Sequence, residues 1–217
     1  MKKLLLFDLD GTIADTIESI RHAVNITMEH YGYPARSYLD VKAAIGNGAK
    51  LLIKRSMPDP DADDDEKVST ALSFYNEAYR NTYMEVGGCY DGMHDTLKEL
   101  KARGYTIAIL SNKQDEYVKL ISSQIIEEGI VSMSVGQLEG YPTKPDPTVP
   151  LLMASELGFA PSDCVFIGDS DVDIKTAKNS GMVGVGCSWG YRAGEILASL
   201  GAEYVIDSPR ELLDILD

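Results

Sequence analysis

Positive charge is scarce in this 217-residue chain: 20 lysines and arginines stand against 34 aspartates and glutamates, a formal net charge of −14. That balance argues against nucleic acid or an anionic membrane as partner, because both need a basic surface. Cysteine is scarcer still. The three present, Cys89, Cys164 and Cys187, are odd in number and lack any CxxC spacing, so neither a disulfide framework nor a zinc site follows, and free thiols are expected. No stretch is apolar enough to span a bilayer. The apolar opening at 4–7 is cut short by Asp8, well before a secretory core would be complete, so a cytoplasmic location is expected. Internal repeats and low-complexity tracts are also missing.

What remains is the composition of an ordinary globular protein, 44% hydrophobic and 25% charged, long enough for one large domain or a core with a smaller insert. From residue 104 onward, short β-type runs at 105–110, 165–167, 183–186 and 204–206 alternate with amphipathic segments at 115–126, 148–157, 171–179, 193–200 and 209–216. Strands alternating with helices predict a doubly wound parallel sheet, an α/β fold of Rossmann-like kind. The stretch from 13 to about 83 reads instead as helix after helix, at 17–31, 39–44, 49–56 and 65–83. It is expected to be a separate, all-helical domain covering the site. The expected division is an α/β core of residues 1–12 and 88–217 with a helical insert of residues 13–87. The acidic run 59–66 reads as a solvated loop and helix start rather than a metal site.

The most informative segment is Asp8-Leu9-Asp10-Gly11-Thr12, directly after the first apolar run. Carboxylates at i and i+2 of a strand share a face and reach the lip of the sheet together. That lip is where open α/β sheets bind ligands. Two like charges so close call for a cation, and oxygen ligands suit Mg²⁺. Gly11 lets the chain turn sharply off the strand. Three more segments stand at expected strand ends: Ser111-Asn112, whose hydroxyl, amide and backbone donors suit oxyanions; Lys144-Pro145 after a loop at 136–143; and Gly168-Asp169-Ser170-Asp171-Val172-Asp173 opening a helix. Asp169 can reach a metal from the strand end, with Asp173 one helical turn on.

Asp8, Asp10, Ser111, Lys144, Asp169 and Asp173, in that order, resemble the haloacid dehalogenase superfamily, and most closely its phosphoglycolate-phosphatase-like branch, whose helical cap follows the first strand. Asp15-Thr16, Gly46-Asn47-Gly48 and Trp189-Gly190-Tyr191 extend the resemblance across the chain. It implies Mg²⁺-dependent hydrolysis of a small phosphorylated metabolite through an aspartyl phosphate. Asp8 is implied as the nucleophile, Asp10 as general acid and base, and Lys144 as a catalytic and oxygen-binding cation. Ser111 and Asn112, with Gly11 and Thr12, are implied around the phosphoryl group. Asp8, Asp10 (through its carbonyl) and Asp169 are implied as the metal ligands, and Asp173 as the residue that orients a metal-bound water or Lys144.

Asp10 speaks against a dehalogenase, in which no leaving oxygen needs a proton. Pyrophosphatase, nucleotidase and sugar-phosphate mutase activities stay open, although Thr12 and Ile20 depart from the mutase pattern. Lys50 keeps a phosphonate hydrolase in view. A receiver-like phosphorylation switch lacks both the helical insert and any need for Asp10. His22 and His30 are expected on an insert helix and His94 in a turn, none of them catalytic. Trp189 and Tyr191 read as packing residues, Asp171 as a helix-start or solvent-facing group, and Lys50 and Arg55 as the insert cations worth following. Whether the chain is a monomer or a homodimer is left open.

Overall fold

The computed structural model of the chain describes residues 3–84 and 87–216. Its contacts divide the chain into two compact units, residues 1–14 with 89–217, and residues 15–88.

In the first unit, among the described residues, six strands form one parallel sheet in the order β3-β2-β1-β4-β5-β6. The strands are β1 (Leu4–Phe7), β2 (Thr106–Gln114), β3 (Val131–Gln137), β4 (Cys164–Gly168), β5 (Val183–Cys187) and β6 (Tyr204–Ile206). β1 pairs with both β2 and β4, so the chain builds outward to β3 on one side and to β6 on the other. The crevice at the strand ends of β1 and β4 is therefore a topological switch point, the place where such sheets hold ligands. Strands buried on both faces read as continuous apolar runs, and all of β1 is buried. Leu4 and Leu6 join Ala108, Leu110, Cys164 and Phe166 on one face, packed by Met153 and Ala154 of α7 (Thr148–Glu156) and Ala177 of α8 (Asp171–Ser180). Also in this unit are α5 (Met93–Ala102), α6 (Asp115–Ile125), α9 (Gly194–Ser199) and α10 (Leu212–Ile215).

Three expectations are corrected here. His94 lies inside α5, not in a turn. β3 takes up residues where no strand was expected, and its end at Gln137 shortens the expected loop at 136–143. β2 runs on to Gln114, so Ser111 and Asn112 sit within the strand rather than at its end, and Gln114 stands at the N-cap of α6. The pairing of β2 with β3 shifts register between Leu110 and Gln114, which marks this stretch as irregular.

The second unit is helical: α1 (Ile17–His30), α2 (Tyr38–Ala44), α3 (Ala49–Ser56) and α4 (Asp65–Thr82). Ala23, Val24 and Met28 of α1 and Val68, Ala71 and Tyr75 of α4 are buried. The His30 ring stacks on Phe74 at 3.9 Å between centroids, a packing role. The acidic run behaves as a helix start, since the Asp64 carboxylate accepts from the backbone N–H of Glu66 and Lys67 and caps α4. Glu85 and Val86, near the end of the expected 13–87 insert, lie outside the described residues.

Candidate active site

Asp8 follows the last residue of β1, and its backbone N–H still donates to the Ile167 carbonyl of β4 at 2.9 Å. The carboxylate is thus fixed at the lip between the two strands. Its Oδ1 accepts from the Leu9 N–H at 2.7 Å and lies 3.0 Å from Lys144 Nζ. Lys144 Nζ lies 2.6 Å from Asp173 Oδ1 as well, so one ammonium bridges two carboxylates. Its side chain is 2% exposed. Burial alone would lower the lysine, but Asp173 and Asp8 outweigh it and hold Lys144 above its ordinary value, fully charged.

Asn112 holds Lys144 in place from the neighbouring strand. Its Oδ1 accepts from the Lys144 N–H at 2.8 Å and its Nδ2 donates to the Lys144 carbonyl at 2.9 Å. This two-point clamp uses the side-chain amide on a protein partner, so Asn112's side chain positions a cation. Ser111 is buried beside it, its Oγ 3.4 Å from the Lys113 N–H.

Asp173 is presented by the first turn of α8. Its Oδ2 accepts from the Ser170 N–H at 3.0 Å and from the Ser170 hydroxyl at 2.6 Å, closing a capping box. The other oxygen is left for Lys144. Asp171, one residue into the same helix, pairs with Lys175 at the surface.

Asp169 is completely buried. Its Oδ1 accepts from the Thr12 hydroxyl at 3.1 Å and its Oδ2 from the Tyr191 N–H at 2.6 Å. The fit depends on two glycines. Gly11 has φ +86°, and a Cβ there would lie 2.5 Å from Asp169 Oδ2; a Cβ on Gly190 would lie 2.3 Å from Asp169 Cβ. Trp189 completes the wall, its Nε1 donating to the Thr12 carbonyl at 3.1 Å. Sequence patterning reads Tyr191 as packing and gives no role to Gly190; only the structure shows both closing on a carboxylate.

Asp8, Asp169 and Asp173 offer carboxylate oxygens within 4.8 Å of one another, all buried. Burial pushes the Asp8 carboxyl up to about 7, with Asp173 and Asp10 adding to the rise and Lys144 opposing it. Burial likewise raises Asp169 well above its ordinary range, helped by Asp173 and Asp8 and opposed by the Tyr191 N–H and Thr12 hydroxyl. Asp10 meets a second cation: Lys113 Nζ donates to Oδ1 at 2.8 Å and Oδ2 at 3.1 Å. With all four carboxylates ionised, two ammonium groups would leave an excess of two negative charges, the charge that one divalent cation would cancel. The all-oxygen donor set at Asp8 and Asp169, with no lysine or arginine paired to Asp169 among the described residues, fits such an ion.

Of the predicted residues, Asp8, Asp169 and Asp173 cluster together, Lys144 joins Asp8 to Asp173, Thr12 bonds Asp169, Asn112 clamps Lys144, and Asp10 pairs with Lys113. Lys113 was not foreseen. The insert cations belong to the second unit: Arg55 Nη1 donates to the Ala44 carbonyl and Asn47 Oδ1, each at 2.9 Å, and Lys50 is exposed. Burial pushes the Cys89 and Cys164 thiols up to about 11, and none of the three cysteines is disulfide-bonded. No helix among the described residues is long and apolar enough to cross a membrane.

The family model of haloacid dehalogenase-like hydrolases matches residues 5–186. Phosphoglycolate phosphatase 1 of Pseudomonas aeruginosa is 31% identical over 220 residues, a match covering 100% of this chain and 80% of the relative. The phosphoglycolate phosphatase of Vibrio vulnificus strain CMCP6 is 32% identical over 222 residues, covering 99% and 96%. A crystal structure from Lactobacillus delbrueckii subsp. bulgaricus, provisionally named a phosphoglycolate phosphatase, has a TM-score of 0.92 at 28% identity, covering 100% of this chain and 99% of its own. With the match running from β1 through β5 and the acidic cluster at the switch point, this chain belongs to the haloacid dehalogenase-like hydrolase family.

Proposed function

We propose that this chain is a Mg²⁺-dependent phosphatase that hydrolyses a small phosphomonoester, 2-phosphoglycolate foremost, through an aspartyl phosphate on Asp8. The observation that carries the reading is the buried cluster in which Asp8 and Asp169 face each other with charge in excess of what Lys144 neutralises. The names of the relatives supply the substrate.

In this reading the Asp8 carboxylate oxygen bonds to phosphorus while the bond from phosphorus to the leaving oxygen breaks. Asp10 gives its proton to that oxygen, and an alcohol departs. A water oxygen then bonds to phosphorus, its proton passes to Asp10, the Asp8–phosphorus bond breaks, and phosphate leaves. Asp8, Asp169 and the Asp10 carbonyl would hold Mg²⁺, which supplies charge neutralisation at the phosphoryl oxygens. Lys144 and the Ser111 hydroxyl serve those oxygens, where phosphoryl transfer spreads its charge. Asn112 contributes by fixing Lys144, and Asp173 by orienting it. The helical unit of residues 15–88 is the part we assign to substrate choice.

The test is phosphate release from 2-phosphoglycolate, nucleotides, hexose phosphates and pyrophosphate, each with Mg²⁺ and with excess chelator. One substrate standing well above the rest, and only with metal, is the expected result. Release that persists undiminished in chelator would contradict the metal role, and no release from any monoester would contradict the function.

A further inference from the structure

Lys113 stands outside the motifs that assign the other site residues, yet its side chain ends inside the site. From the irregular end of β2, its Nζ contacts both Asp10 oxygens, at 2.8 and 3.1 Å. The contact is sheltered, with 9% of the lysine side chain and 14% of the aspartate side chain exposed. The backbone beneath it is braced by β3. Gly136 comes so close that a Cβ there would lie 2.6 Å from the Lys113 carbonyl oxygen and 2.5 Å from Asp115 Cα. The Gly136 N–H also donates to Asp115 Oδ1 at 2.9 Å. Lys113 therefore projects from a segment whose position is set by packing, rather than from a free loop.

We propose that Lys113 is a positioning residue for Asp10, fixing its carboxyl group for proton transfer at the leaving oxygen. The proposal rests on the phosphatase reading above. A carboxyl group on a short side chain turns about two bonds, and a contact shared by both oxygens removes most of that freedom. Lys144 cannot do this job, because its ammonium is committed to Asp8 and Asp173. In the first half-reaction the proton moves from Asp10 to the leaving oxygen as the phosphorus–oxygen bond breaks and the Asp8–phosphorus bond forms. A departing alkoxide depends strongly on that proton. A group that leaves as a stable anion depends on it little. Loss of Lys113 is therefore felt on aliphatic monoesters and barely on an aryl ester with a good leaving group.

The experiment compares wild type, Lys113→Met, Lys113→Gln and Lys113→Arg, as full chains with Mg²⁺, on 2-phosphoglycolate and on 4-nitrophenyl phosphate. The readout is kcat/KM, which reports the step in which the leaving group departs. Melting curves establish which variants fold, and Lys113→Gln carries the comparison if Lys113→Met does not. The expected loss on 2-phosphoglycolate is roughly 10- to 100-fold, the scale of a misplaced proton donor. On 4-nitrophenyl phosphate a loss below about 3-fold is expected. Lys113→Arg should recover part of the first loss. Equal losses on the two substrates, or none on either, would overturn the positioning role while leaving the phosphatase reading standing. A wild-type chain inactive on both would remove that reading, and this proposal with it.

Discussion

Lys144 and Asp8 show how much of this site is decided by one contact. An ammonium 2% exposed is tolerable only because Asp8 and Asp173 both face it. Asp8 in turn carries a burial cost that Lys144 only partly offsets, and its carboxyl is held at about 7. A carboxyl raised in the folded state keeps its proton where the unfolded chain, near 3.9, has released it. Its contribution is full below about pH 4 and is lost as pH rises through about 7. We therefore expect the metal-free chain, melted in chelator, to lose stability across that window, on the order of a few kcal/mol. Asp8→Asn should flatten this slope and abolish turnover while Asp173 keeps Lys144 paired. A slope unchanged in Asp8→Asn would show that Asp8 is not the group responsible.

Strands and their loops put these residues in reach of one another, and here the parts that sequence makes legible separate from those it does not. β1 and β4 announce themselves because a strand buried on both faces must be apolar throughout, and the carboxylates that end them stand out against that run. β3, Val-Ser-Met-Ser-Val-Gly-Gln, is an edge strand that is only partly buried, so its serines and glycine blur the pattern. With β3 unseen, the bracing of Lys113 by Gly136 was unreadable too, although Lys113 follows Ser111 at the two-residue spacing of a strand face. Asn112 was legible as a site residue, but its clamp on Lys144 spans 32 positions and leaves no local signal. The Trp189–Tyr191 turn makes the same point through shape. Gly190→Ala should drive a methyl group into Asp169 and the Gly11 carbonyl, 2.3 and 2.4 Å away. The expected outcome is a loss of at least about 10-fold in metal affinity or activity, the usual scale for disturbing a metal ligand's support. Retention of wild-type metal affinity, read by the metal-induced rise in melting temperature, would show that Asp169 is not held by this turn.

Across the whole molecule, an acidic protein with a formal charge of −14 is proposed to accept an anionic ester. The local balance makes that consistent: with the four aspartates ionised, the two site lysines would leave an excess of two negative charges, which a bound divalent ion would cancel. The switch from helix-only patterning to alternating strands and helices is the sequence signal behind the expected two-part division, and the chain's contacts divide it into residues 1–14 with 89–217 and residues 15–88. The most direct measurement is an acid quench of the enzyme turning over 2-phosphoglycolate with Mg²⁺, followed by mass spectrometry of the N-terminal peptide. A phosphoryl group on Asp8, missing from Asp8→Asn and decaying as free phosphate appears, is the predicted result. Steady phosphate release with Asp8 never labelled, or an Asp8→Asn variant that still turns over, would contradict the covalent mechanism.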